Sequence, residues 1–98
     1  MPIETTKWDV QDYLKTPEER LAYLEAAFEE GDPKLVSIAL GDVARSMGMT
    51  NVAKEAGITR EALYKALSDK GDPKLSTLLG VLKALGLRVR VISADEAA

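Results

Sequence analysis

From residue 17 onward, apolar residues recur every third or fourth position in short stretches, each bounded by a start or a stop signal. Thr16-Pro17-Glu18-Glu19 is a capping box with proline at the first helical position. The helix it opens carries Leu21, Leu24, Ala27 and Phe28 on one face and stops at Gly31. Asp32-Pro33 opens the next helix by the same device, with Leu35, Ile38, Ala39, Val43 and Met47 inward and Gly48 as its stop. Residues 49–68 then predict two helices joined by a tight turn at Gly57. Val52, Ala53 and Ala56 form the inner face of the first, and Ala62, Leu63, Ala66 and Leu67 that of the second, with Ile58 just past the turn. Gly71-Asp72-Pro73 predicts the start of a last helix, with Leu75, Leu78, Leu79, Leu82 and Leu85 inward and Gly86 as its end.

The two ends of the chain have another period. Residues 87–92, LRVRVI, alternate apolar and basic side chains and predict a strand. A strand needs a partner for its backbone groups. Residues 3–8, IETTKW, rich in β-branched and aromatic types, offer one, and the same strand of a second subunit offers another. Asp9 can cap a short helix through Tyr13 or Leu14, and 94–98 read as a frayed tail. The pentapeptide GDPKL occurs at 31–35 and again at 71–75, as a duplication or as one start signal used twice. The fold expected is an all-α domain of five or six helices with a short C-terminal β-strand, spanning 1–98 as a single unit.

Composition narrows the chemistry. The chain has neither cysteine nor histidine, which removes disulfides, thiolate metal sites and imidazole catalysis. An enzyme is not expected, and no cofactor or metal is called for. No apolar run is long enough for a membrane span, and the amino terminus lacks the basic flank and apolar stretch of a signal peptide, so the cytoplasm is the expected compartment. The net charge of −3 is unevenly spread. Residues 1–33 hold nine acids against three bases, a net of −6; from Lys34 onward ten bases face seven acids, a net of +3. Such a division suits an acidic face turned from DNA and a basic face turned toward it, and equally a surface that is merely solvated. Glu25, Glu29 and Glu30 on the first long helix are a solvated face or a surface for a basic partner.

The spacing in 49–68 carries a resemblance. Ala53 stands four residues before Gly57, Ile58 one after and Leu63 six after. This segment resembles the helix-turn-helix of the Xre/Cro, lambda-repressor-like class. An ordinary αα-hairpin shares part of the pattern. The longer stretch NVAKEAGITREALYKALS followed by GDPKLSTLLGVLKALGLRVRV is similar to the short HigA-like addiction-module antidote proteins, and the likeness covers most of the chain from TTKWDVQDYL onward. The resemblance implies an antitoxin that binds a palindromic operator in double-stranded DNA as a homodimer and represses its own operon. It also implies neutralisation of a small basic toxin of the RelE/ParE-like class. The alternatives are a stand-alone phage-type repressor and a helical interaction module that never touches DNA.

Candidate DNA-binding residues follow from the outward positions of this unit. Thr50 is placed to cap its first helix, leaving Asn51 in the first turn, where a short amide suits a phosphate contact. Related repressors often have glutamine there, so the shorter Asn51 has less reach. Thr59 caps the second helix or faces phosphate; Arg60 reaches phosphate or a guanine edge; Tyr64 offers a ring and a hydroxyl. Lys65 is simplest as a phosphate contact, and Ser68 closes the same face. Glu61 can accept from cytosine or favour the helix amino end. Trp8 marks a binding surface or anchors the terminus, and Arg88 and Arg90 touch a partner or protect a sheet edge.

Overall fold

The computed structural model describes residues 13–97, and in them five α-helices and no β-strand. They are α1 (Pro17–Glu30), α2 (Pro33–Met47), α3 (Met49–Ala56), α4 (Arg60–Ala66) and α5 (Leu75–Ala84), followed by a 3-10 turn at Ala94–Ala97.

The first two helices start as their sequences dictate. Thr16 Oγ1 accepts from the Glu19 amide at 3.1 Å, and Glu19 Oε1 accepts from the amides of Thr16 (3.0 Å) and Lys15 (2.9 Å). Those backbone donors, Lys15 first, hold the Glu19 carboxyl below the usual carboxylate range. Asp32 caps α2 through the Lys34 amide at 3.0 Å, with Pro33 in the first turn. The start of α3 differs from expectation. Gly48, at φ 103, is the only residue between α2 and α3, so the helix begins at Met49. Thr50 therefore lies inside the first turn and makes no capping bond. At the other end of α3, Gly57 takes φ 77 and turns the chain toward α4, as the sequence requires.

The core is one cluster drawn from every helix: Leu24 and Ala27, then Leu40, Val43 and Ala44, then Val52 and Ala53, then Leu63, Leu67, Val81 and Leu82. α3 is its hub, packed on α2, α4 and α5, while α1 lies against α2. Leu40, Leu63, Val43 and Val81 are completely buried, and each such side chain stabilises the fold by about 1.5–3 kcal/mol. Gly41 lets α2 and the end of α4 approach. A Cβ there would run into the Leu67 carbonyl oxygen.

Several expected inner faces are shifted. On α5, Leu75 (69% exposed) and Leu79 (45%) face outward, and Val81 (0%) is the deepest residue. This helix has apolar residues nearly all round, and only the stripe through Leu78, Val81, Leu82 and Leu85 turns to the core. On α4, Ala62 is exposed, and the inner face is Leu63 and Leu67 with half-buried Tyr64 and Ala66. On α2, Leu35 is exposed and Leu40 and Ala44 are buried.

The second GDPKL does not start a helix. α5 begins two residues beyond Pro73, Lys74 is its N-cap residue, and no side chain caps it. Gly31 is a left-handed cap at φ 72, whereas Gly71 lies so close to the end of α4 that a Cβ would collide with the Ala66 and Lys65 carbonyls. The Gly71 amide donates to the Ser68 carbonyl at 3.0 Å. Residues 71–74 follow without regular structure, and the helix starts at Leu75.

The strand expected at 87–92 is not formed. Leu87 donates its amide to the Leu82 carbonyl at 2.8 Å, and beyond it the chain runs without a ladder, with Val91 90% exposed. No other strand stands among the described residues to pair with it. The expected partner strand 3–8, the Asp9 cap and Trp8 lie outside the described residues.

Candidate functional site

The outward side of α3 and α4 is built on the core residues Val52, Ala53, Leu63 and Leu67, which fix both helices at their inner faces. Thr50 and Asn51 stand exposed in the first turn of α3. Thr59 caps α4, its hydroxyl oxygen accepting from the Ala62 amide at 3.0 Å. The hydroxyl keeps a proton to donate elsewhere. Arg60, Glu61 and Lys65 are exposed. Ser68 is half-buried and bonded locally, donating to the Lys65 carbonyl at 3.0 Å and accepting from the Lys70 amide at 3.3 Å.

Tyr64 is not simply outward. Its ring is half-buried against the core, and its hydroxyl accepts from Arg60 Nη2 at 3.4 Å. The Arg60 guanidinium carbon lies 5.5 Å from the ring centre, within cation–π range. The Tyr64 hydroxyl raises the Arg60 pKa further, so the side chain is a fixed cation.

Three cations were not singled out from the sequence. Arg45, in the last turn of α2, lies 5.6 Å from the Tyr64 ring centre. Lys70 and Lys74 join Lys65 around a concavity of about 330 Å³ floored by Ile58, Ala62 and Ala66. Lys70 and Lys74 lie beyond α4, in the turn and the connector before α5, where no helical period places them beside Lys65. Nothing in the spacing marked Arg45. Among the described residues no cluster of acids has the arrangement of a metal site. None of their helices is long and apolar enough to cross a membrane.

The opposite charge collects on α1, where Glu18, Glu25, Glu29 and Glu30 are exposed. Beside it runs an apolar groove of about 280 Å³, with Leu21, Phe28, Leu87 and Val89 in its walls, Glu25 on one lip and Arg88 and Arg90 on the other.

Residues 4–93 match the family described as "Probable addiction module antidote protein". The chain belongs to this antidote family. An uncharacterized protein of Haemophilus influenzae is 44% identical over 91 residues, covering 93% of this chain and 94% of the relative. No solved structure matches. Membership of the antidote family implies a toxin as partner and an antitoxin role. The described residues present two exposed faces of opposite charge: the basic side around α4 and the acidic side of α1.

Proposed function

We propose that the protein is the antitoxin of a type II toxin–antitoxin module, and that α3 and α4 form an Xre/Cro-type helix-turn-helix that binds operator DNA. The observation that carries this reading is α4. It is a short helix seated by Leu63 and Leu67, entered through a left-handed glycine turn, and it exposes Arg60, Glu61 and Lys65 with the Tyr64 hydroxyl at their margin. Such a helix offers a guanidinium fork for a guanine edge and an ammonium for phosphate. Lys70 and Lys74 extend the phosphate-facing side. Asn51 and Thr50 contact the backbone from the start of α3, and Thr59 and Ser68 support the α4 face.

The protein acts as a homodimer on a palindrome, with residues 87–92 pairing between subunits to satisfy the backbone groups left without a ladder in one chain. The toxin is a small basic protein of the RelE/ParE-like class, drawn to the acidic α1. The role is binding and repression in the cytoplasm, without catalysis. Family membership favours this over a stand-alone phage-type repressor.

The test is a mobility-shift titration on duplex DNA from immediately upstream of the protein's own reading frame, against a shuffled duplex of the same composition. Wild type is expected to bind the first more tightly. A variant with Arg60, Tyr64 and Lys65 all changed to Ala is expected to lose that binding. If the triple variant binds as tightly as wild type, α4 does not read DNA, and an interaction module acting only on the toxin takes its place.

A further inference from the structure

Arg45 belongs to α2, outside the two-helix unit, yet its side chain is directed at α4. It sits one turn after Gly41 on the same face. A Cβ at Gly41 would come within 3.2 Å of Arg45 Nη1 while colliding with the Leu67 carbonyl, so the bare backbone of Gly41 leaves room for both the end of α4 and the guanidinium. That guanidinium has two neighbours of different kinds. Asp42 Oδ1 lies 3.7 Å from Nη1, and the Tyr64 ring centre lies 5.6 Å from the guanidinium carbon. Asp42 is itself fixed: its Oδ2 accepts from the Tyr23 hydroxyl of α1 at 2.6 Å. On the far side of the chain of contacts, Tyr64 takes the hydrogen bond from Arg60. Five side chains from three helices therefore form one row, Tyr23–Asp42–Arg45–Tyr64–Arg60.

The two arginines on the ring are not equivalent. Two guanidinium groups sharing one aromatic ring repel each other. The Asp42 carboxylate offsets the charge of Arg45 and leaves that of Arg60 uncompensated within the row. Both arginines are exposed, and Arg60 is the one carried by α4, on the face assigned to DNA. We propose that Arg45 is a positioning residue for DNA recognition, holding the Tyr64 ring and through it presenting Arg60 to a base edge. This rests on the DNA-binding reading above and names a residue of that site beyond the two-helix unit.

The experiment compares wild type, Arg45→Ala, Tyr64→Leu and the double variant on the upstream and the shuffled duplex at two salt concentrations. Thermal melts of each protein accompany the binding. Arg45→Ala is expected to weaken binding to the upstream duplex about tenfold, the scale of one disturbed base contact. Binding to the shuffled duplex and the salt dependence are expected to stay as in wild type, because a brace that touches no phosphate releases no counterion. Tyr64→Leu is expected to do the same, and the double variant to do no worse than either single change, since the two act in series. Equal losses on both duplexes with a shallower salt slope would overturn the proposal by making Arg45 a phosphate contact, and an unchanged upstream affinity would overturn it outright. A wild type that binds neither duplex would remove the DNA-binding reading itself. The brace is then judged in the protein alone. Arg45→Ala is expected to move the Arg60 Nε–H and Tyr64 ring resonances in the nuclear magnetic resonance spectrum, and resonances left in place would show that no brace exists.

Discussion

The Tyr23 hydroxyl donates to Asp42 Oδ2 at 2.6 Å and ties α1 to α2, on which α3 also packs. Burial, this hydrogen bond and the nearby carboxylate together push the Tyr23 phenol up to about 12 from its ordinary 10. The folded state thus favours the protonated phenol more than the unfolded chain does. Its contribution to stability is complete below pH 10 and is lost as the pH rises through about 12. Wild type is expected to lose stability in that window more steeply than Tyr23→Phe, which has no phenol proton to lose. Urea titrations of both proteins at the two ends of the window check this. Parallel losses would mean that the bond does not persist in solution.

Gly57 and Gly41 should fail for different reasons when given a side chain. Around Gly57 there is open space, so Gly57→Ala meets only the backbone cost of φ 77, about 1–2 kcal/mol. At Gly41 the backbone is ordinary and the obstacle is the Leu67 carbonyl, so Gly41→Ala must push α4 away at a cost of about 1–3 kcal/mol. Chemical-shift changes are expected near the turn in the first variant and along α4 and at Arg45 in the second. The same pattern from both would refute the distinction.

Lys65, Lys70 and Lys74 around one concavity should act as phosphate contacts of similar weight. Changing any one to Gln is expected to weaken binding to all duplexes alike and to lower the salt slope by about 0.9. Affinities at several salt concentrations measure this directly. A loss confined to the upstream duplex would assign that lysine to a base instead.

Glu25 and Glu29 stand exposed on α1. Reversal of both to Lys should slow association with a basic toxin, most of all at low salt, and leave DNA affinity undiminished. Stopped-flow association with the co-expressed toxin is the measurement. Unaltered rates at low salt would move the toxin surface away from α1.

Truncation after Gly86 removes the segment with no ladder of its own. The full chain is expected to sediment as a dimer and the shortened chain as a monomer. Persistence of the dimer would place the subunit contact elsewhere.

How legible was this in the sequence? The signals that act within one turn carried through. Thr16 with Glu19, Asp32 with Pro33, and Gly57 all do what their local chemistry demands. The misreadings concern residues whose role is settled by something other than their own type and period. Leu75 and Leu79 were as good candidates for burial as Val81, because α5 is apolar nearly all round and only its seat on α3 selects the inner stripe. Thr50 was a sound cap by type, but Gly48 had already turned the chain two residues earlier. Residues 87–92 have strand composition, and composition does not supply a neighbour. In the candidate site, exposure on α4 followed from period alone for Arg60 and Lys65. The position of Arg45 over Tyr64 depends on how α2 crosses α4, which no local pattern encodes.

The two copies of GDPKL have a consequence for how this chain tolerates rearrangement. Identical letters give a helix start at 31–35 and, at 71–75, a connector that enters its helix only at Leu75, and what sets the second copy apart is the Lys65 and Ala66 carbonyls packed against Gly71. A pentapeptide of this kind is portable as text and not as structure. Grafted elsewhere, residues 71–75 would revert to the default of their letters and begin a helix. In this protein the shape of the connector, and with it the placement of Lys70 and Lys74, is inherited from α4.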